Sequence, residues 1–203
     1  MNLLVFDTCL DKMYVTLTQN NRIISSKIVE NQDNKYHSAF LISTIKNILK
    51  ENNLTPKDLN AVGTNIGPGS FTGIRACTTV ARIMAQQLNI PAVGISSLEI
   101  LEHINVKNPL VALDARKNSA YLRYNNETKG AVSIDEIKEL LEKENFKVIT
   151  DNKLLPLIGG ISYQENEYKL GEILAKLAYE KLQKENCPWQ QLKPLYIQPP
   201  PGI

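Results

Sequence analysis

Two aspartates stand where their side chains could support phosphate chemistry. Asp7 and Asp114 each follow a short apolar run, so each is predicted to end a β-strand. A carboxylate at such a strand end can hold a phosphate-bound Mg²⁺ through water. A competent phosphate loop also needs a glycine within the next few residues, and neither aspartate is followed by one. The pattern therefore argues against a fully equipped ATPase, and strand-end capping is the simpler interpretation.

A glycine-rich stretch from Gly67 to Arg75 reads Gly-Pro-Gly-Ser-Phe-Thr-Gly-Ile-Arg. It lies between an apolar run and a helical pattern, which predicts a tight turn from a strand into a helix. Such a turn exposes backbone N–H groups at the positive end of a helix, where an anion could bind. Together with Asp7, the residues Gly67, Gly69 and Ser70 are candidates for a vestigial nucleotide site. The spacing fits neither a Walker A loop, nor a dinucleotide fingerprint, nor a nucleophile elbow.

The remaining reactive residues predict neither a metal site nor a catalytic site. The two histidines, His37 and His103, have no neighbour at a ligand spacing. The three cysteines lie far apart in the chain, which argues against a disulfide framework and favours a reducing cytoplasm. Ser70 has no assignable base, so no nucleophilic triad can be proposed. We therefore predict no catalytic residues and no metal ligands.

Length and composition indicate an ordinary globular chain. It has 203 residues, of which 43% are hydrophobic and 22% charged. The net charge of +2 is too small to predict nucleic-acid binding by this chain alone. The sequence contains no apolar run long enough to span a membrane, and its N-terminus lacks the features of a secretory signal. We expect a cytoplasmic protein without membrane association.

Hydrophobic periodicity predicts two related halves. In residues 1–104 the predicted order is three strands, a helix, a strand, a helix, a strand and a helix. Residues 105–203 repeat this order in shortened form, from a strand ending in Asp114 to a last helix, and finish in a proline-rich tail. The repetition predicts a duplicated α/β fold with mixed sheets and a boundary after residue 104.

One predicted helix, residues 72–88, carries more apolar surface than a single core contact requires. After residue 75 its only charged residue is Arg82, and Val80 and Ile83 lie on a second apolar side. Such a helix should be buried on more than one side. The second side could pack against the predicted helix of residues 37–50 or against another protein. Both interpretations stay open, because two adjacent helices can form one composite docking surface.

Four segments resemble the motifs of a known family. They are residues 3–8, the stretch 67–75, residues 94–98 and residues 114–116, and they occur in this order. They are similar to motifs of the TsaB (YeaZ) family of bacterial tRNA threonylcarbamoyladenosine biosynthesis proteins. The resemblance runs through roughly the first 125 residues and thins beyond them. It implies an actin-like ATPase (ribonuclease H-like) fold, with two related mixed-sheet halves flanked by helices.

The resemblance also implies an accessory subunit rather than an enzyme. Members of the family serve as a scaffold for a paralogous catalytic subunit, TsaD, and for the ATPase TsaE. Together these proteins transfer a threonylcarbamoyl group to an adenosine beside the tRNA anticodon. The implied partners are a TsaD-like paralogue and a TsaE-like ATPase, with tRNA bound mainly through the complex. Because exposed apolar helices self-associate in two-fold pairs, we also expect a homodimer when the chain is alone. The complex uses ATP, while this chain requires no cofactor of its own.

The same resemblance implies where the catalytic partner binds. In the family, the two helices equivalent to residues 37–50 and 72–88 form a helix bundle with the catalytic subunit. The candidate interface residues on these helices are Phe40, Leu41, Ile45, Ile74, Cys77, Val80, Ala81 and Met84.

Two enzymatic interpretations compete with the scaffold. The first is an actin-fold small-molecule kinase or ATPase, against which the missing glycines after Asp7 and Asp114 argue. The second is a protease, which would need a nucleophile with a base. Ser70 is the last candidate nucleophile, and the sequence offers no base for it.

Overall fold

A computed structural model of the chain describes residues 1–30, 37–165 and 168–197. It contains ten strands and six α-helices within these residues. The strands are β1 (Asn2–Asp7), β2 (Met13–Gln19), β3 (Arg22–Val29), β4 (Ala61–Asn65), β5 (Ala92–Ile95), β6 (Pro109–Arg116), β7 (Ser119–Tyr124), β8 (Glu127–Ser133), β9 (Lys147–Thr150) and β10 (Ile161–Ser162). The helices are α1 (Leu41–Glu51), α2 (Phe71–Leu88), α3 (Ser97–Glu102), α4 (Ile134–Lys143), α5 (Leu155–Ile158) and α6 (Leu170–Lys184).

The chain divides into two compact units. Unit 1 comprises Met1–Ser97 and Lys169–Leu195, and unit 2 comprises Leu98–Tyr168 and Tyr196–Ile203. This division differs from the predicted boundary after residue 104, which assigned all later residues to the second half. The reason is that α6 packs on β1, β2, β4 and β5 of the first sheet. Unit 1 is therefore built from two segments that are separated in the chain by residues of unit 2.

Unit 1 is built on a five-stranded mixed sheet of order β3-β2-β1-β4-β5. The central strand β1 pairs antiparallel with β2 and parallel with β4. Buried residues of α1 and α2 share one hydrophobic cluster with Leu4 and Phe6 of β1. Helix α6 contacts the opposite face, where a Cβ added to Gly63 would lie 2.9 Å from that of Ala178. Because helices cover both faces, β1 is a continuous apolar run rather than an alternating one.

Unit 2 repeats the same arrangement. Its five-stranded sheet has the order β10-β9-β6-β7-β8. The central strand β6 pairs antiparallel with β7 and parallel with β9, as β1 does with β2 and β4. The prediction of two related mixed-sheet halves flanked by helices, in the actin-like (ribonuclease H-like) fold class, is thus confirmed.

The start of α4 in unit 2 is fixed by a capping box. The Ser133 hydroxyl accepts a hydrogen bond from the Glu136 backbone amide at 3.3 Å. The Glu136 carboxylate accepts one from the Ser133 backbone amide at 3.0 Å. Hydrogen bonds from Ser133 lower the pKa of Glu136. The native cap therefore favours the ionised form of the Glu136 carboxylate.

Ser133→Ala should destabilise unit 2 by about 1 kcal/mol, the usual loss for a missing N-cap. Because the pKa of Glu136 is lowered in the native state, its contribution is present above its unfolded-state pKa and is lost as the pH falls through the lowered value. Urea unfolding followed by circular dichroism at neutral and acidic pH measures both effects. The fluorescence of Trp189, the single tryptophan, reports on unit 1 and should be unchanged. An equal loss at both pH values would contradict the assigned role of Glu136.

Two expectations concern membranes and the tail. None of the helices in the described ranges is long and apolar enough to cross a bilayer. Residues 194–197 of the predicted proline-rich tail carry neither helix nor strand. The rest of that tail, including its run of three prolines, lies outside the described residues.

Candidate functional site

The glycine-rich stretch packs closely against the turn that follows β1. The Ser70 amide donates to the carbonyl oxygen of Cys9 at 2.8 Å. A Cβ at Gly73 would lie 1.8 Å from the carbonyl oxygen of Thr8, and one at Gly69 would lie 2.3 Å from that of Cys9. Real Cβ atoms do not approach oxygen atoms so closely. These glycines are therefore needed for a backbone contact inside unit 1.

The stretch also fixes the start of α2. Ser70 is the N-cap, and its hydroxyl accepts a hydrogen bond from the Gly73 backbone amide at 3.2 Å. Gly67 has φ of +103°, in the region that glycine adopts at no steric cost. The predicted strand-to-helix turn is therefore present. The Ser70 hydroxyl thus has a structural role.

Asp7 is buried in the core and does not face a nucleotide in solvent. Only 1% of its surface is exposed. One carboxylate oxygen accepts a hydrogen bond from the Cys9 backbone amide at 2.6 Å. The other accepts one from the Asn65 side-chain amide at 2.9 Å. Burial raises the pKa of Asp7, and the hydrogen bonds from Asn65 and Cys9 oppose that rise.

The geometry corrects the prediction of a vestigial nucleotide site. Gly67 is buried together with Asp7, so neither faces solvent. Gly69 and Ser70 are exposed, but their backbones pack on Cys9 as described above. The four residues therefore do not form a cradle around a common space.

The structure also corrects the predicted partner interface. Five of its eight residues are at most 4% exposed and belong to the hydrophobic cluster beneath α1 and α2. They are Leu41, Ile45, Ile74, Cys77 and Ala81. Burying a side chain of the leucine or isoleucine size contributes about 1.5–3 kcal/mol to folding. In the isolated chain these residues hold the two helices on the sheet and do not face solvent.

The outer side of the two helices keeps an apolar character. Phe40, Val80 and Met84 of the predicted set are half-buried and pack at the margin of the same cluster. Two further residues, which the predicted set omitted, are more exposed: Ile42 at 49% and Ile83 at 54%. On α2, Val80, Ile83 and Met84 have the spacing of one helical stripe. We call these five residues the apolar helix surface.

One group of buried polar and sulfur-containing side chains in the core was not predicted from the sequence. Single ligand atoms of Asp7, Cys9 and Cys77 all lie within 4.8 Å of one another, and all three residues are buried. Burial, with the neighbouring Cys77 thiol and Asp7 carboxylate, raises the pKa of the Cys9 thiol well above its usual value. A protonated thiol is a poor nucleophile. The spacing of the cysteines in the chain could not reveal this group, because Cys77 comes from α2 and the other two from the end of β1.

The chain matches one protein-family model over most of its length. The model is described as TsaD, tRNA N6-adenosine threonylcarbamoyltransferase, and it matches residues 20–191. A Buchnera aphidicola (subsp. Schizaphis graminum) protein named tRNA threonylcarbamoyladenosine biosynthesis protein TsaB is 30% identical over 162 residues, covering 72% of this chain and 76% of that protein. The Bacillus subtilis protein of the same name is 30% identical over 126 residues, covering 60% of this chain and 53% of that protein.

Solved structures show the same fold. The structure titled YeaZ from Pseudomonas aeruginosa superposes with a TM-score of 0.72 at 18% identity, covering 96% of this chain and 99% of that chain. A second Pseudomonas aeruginosa structure, described as an uncharacterized protein with similarity to peptidase YEAZ, gives a TM-score of 0.73 at 17% identity, covering 97% and 99% of the two chains. At this identity the likeness concerns the fold.

Proposed function

The chain belongs to the TsaB (YeaZ) family, and on that basis we propose that it acts in the threonylcarbamoyladenosine modification of tRNA. Its role is that of a non-catalytic scaffold. It pairs with a TsaD-like catalytic paralogue and recruits a TsaE-like ATPase, and tRNA is bound mainly by the assembled complex. When the paralogue is absent, two copies of this chain pair with each other.

The apolar helix surface is the observation that carries this proposal. Ile42 and Ile83 expose about half of their surface in the isolated chain. Large apolar side chains exposed on these two helices favour association with a second protein, because association removes them from water. A catalytic paralogue of the same fold class would present a comparable helix pair, so the two proteins would form one bundle of helices.

The residues that sequence analysis considered for catalysis support an accessory role. The Ser70 hydroxyl caps α2, and burial keeps the Cys9 thiol protonated. The Asp7 carboxylate is satisfied by two N–H donors inside the core. In this proposal ATP is consumed by the complex, and this chain needs no nucleotide of its own.

Reconstitution tests the proposal. The chain is co-expressed with the TsaD-like paralogue of its own organism, and the mixture is sized and assayed with the TsaE-like ATPase, ATP and tRNA. We expect a complex of the two proteins, and modified adenosine only when both are present. Modification by this chain alone, or full activity of the paralogue without it, would overturn the proposal.

Titration of ATP into the isolated chain separates the scaffold from the actin-fold kinase. We expect no hydrolysis and no phosphoryl transfer by the isolated chain. Turnover that survives removal of every other protein would favour the kinase instead.

A further inference from the structure

We propose that Asp7, Cys9 and Cys77 form a buried binding site for a soft divalent cation, for which Zn²⁺ is the best match. The proposal reverses the sequence-based expectation that the chain holds no metal ligands. It does not involve the apolar helix surface, since Asp7, Cys9 and the α2 residue Cys77 are all buried in the core of unit 1.

The donor set favours zinc over the common hard cations. Two cysteine sulfurs and one carboxylate oxygen are ligands typical of Zn²⁺, whereas Mg²⁺ and Ca²⁺ prefer oxygen alone. In a tetrahedral zinc site, ligand atoms are separated by about 3.6–3.8 Å. The three ligand atoms already lie within 4.8 Å of one another, so closure requires movements of about 1 Å or less. The Cys9 thiol donates to the carbonyl oxygen of Asn65 at 3.4 Å, and metal binding would replace this hydrogen bond.

Hydrogen bonds already orient the three ligands. The Thr8 amide nitrogen lies 3.0 Å from the Cys77 sulfur, a distance typical of oxygen acceptors. A sulfur atom accepts a short hydrogen bond more readily when it is negatively charged, as in a metal-bound thiolate. The Asp7 carboxylate is held by the Cys9 amide and by Asn65, whose own side-chain oxygen accepts the Gly67 amide at 2.9 Å. Ligands supported in this way are typical of protein metal sites.

A cation would also give the buried carboxylate a directly bound partner of opposite charge. Both donors described for Asp7, the Cys9 amide and the Asn65 side chain, are neutral. A buried carboxylate is less costly when a metal ion is bound to it. Binding of a divalent cation would displace the protons of the two thiols, so it releases two protons and leaves the net charge of the group unchanged.

Cobalt substitution tests the site, because thiolate-bound Co²⁺ absorbs in the near ultraviolet and visible range. The full chain is unfolded, refolded with Co²⁺ or Zn²⁺, and freed of excess metal. We expect about one bound ion per chain, a thiolate-to-cobalt absorption band, and a higher melting temperature than in metal-free protein. The band should be lost in Cys9→Ser and Cys77→Ser. The control is Cys187→Ser, which alters the one cysteine outside the cluster and should retain the band.

A second measurement on the unaltered chain guards against misfolded variants. Thiol alkylation is followed by mass spectrometry at each cysteine, with and without Zn²⁺. We expect Zn²⁺ to slow the alkylation of Cys9 and Cys77 at least tenfold while leaving the rate at Cys187 unchanged. No retained metal and no absorption band in the unaltered chain would overturn the proposal. Equal protection of all three cysteines, or a band that survives Cys9→Ser, would do the same.

Discussion

Ile83→Glu is expected to abolish association with the TsaD-like paralogue while leaving the fold of the chain intact. Ile83 is 54% exposed, so a glutamate at this position stays solvated in the isolated chain. In a helix bundle the same carboxylate would be buried against apolar side chains without a partner charge. We expect affinity to fall about 100-fold or more, as for the loss of a central interface residue. Isothermal titration calorimetry and co-purification measure the change, and circular dichroism checks the fold.

The matched control is Ile28→Glu on strand β3. Ile28 is 53% exposed and undergoes the same chemical change, but it lies on the sheet edge and outside the apolar helix surface. Its affinity for the paralogue should be unchanged. The same pair of variants tests self-association: sedimentation should show the Ile83 variant as a monomer and the Ile28 variant as a dimer. If the Ile83 variant co-purifies with the paralogue at the yield of the unaltered chain, the interface assignment is wrong.

Gly73→Ala is expected to destabilise unit 1 by about 3 kcal/mol. The added Cβ would lie 1.8 Å from the carbonyl oxygen of Thr8, so either the start of α2 or the turn after β1 must move. Such a movement also breaks the hydrogen bond between the Ser70 amide and Cys9. Urea unfolding followed by Trp189 fluorescence measures the loss, because Trp189 packs against the cluster beneath α2.

Gly130→Ala serves as the control for this substitution, and because Gly130 lies in unit 2 the unfolding of both variants is also followed by circular dichroism. Gly130 has φ of +73°, and a Cβ there would meet no atom within 4 Å. Only the cost of the left-handed conformation remains, about 1 kcal/mol. If the two alanine variants lose the same stability, close packing of the glycine-rich stretch on β1 is not the reason for its glycines.

Most strands and helices could be predicted from local patterns, but β8 was missed. Its residues are mostly polar and exposed, because β8 is an edge strand, so it lacks the alternation of apolar and polar residues that indicates a half-buried strand. The turn before it does contain a sequence signal. Asn125 and Asn126 both have positive φ, as do Asn20 and Asn21 in the turn between β2 and β3.

The inner and outer sides of α2 could not be assigned from sequence. Both sides are apolar, and hydrophobic periodicity does not say which of two apolar sides contacts the sheet. Small residues such as Cys77 and Ala81 lie on the buried side, in the cluster that includes Leu4 and Phe6 of β1. The proximity of Cys9 and Cys77 depends on that tertiary contact and was equally inaccessible to spacing arguments.

The last helix of unit 1, α6, follows residues 98–168 of unit 2 in the sequence. During synthesis, the ribosome makes β1 to β5 first, then residues 98–168, and only then α6. Until α6 emerges, one face of the first sheet, including the surface around Gly63, remains uncovered by its helix. Domains generally fold as units during synthesis. The five-stranded sheet of the second unit can therefore form before the first unit has its last helix, although β1 to β5 are translated earlier.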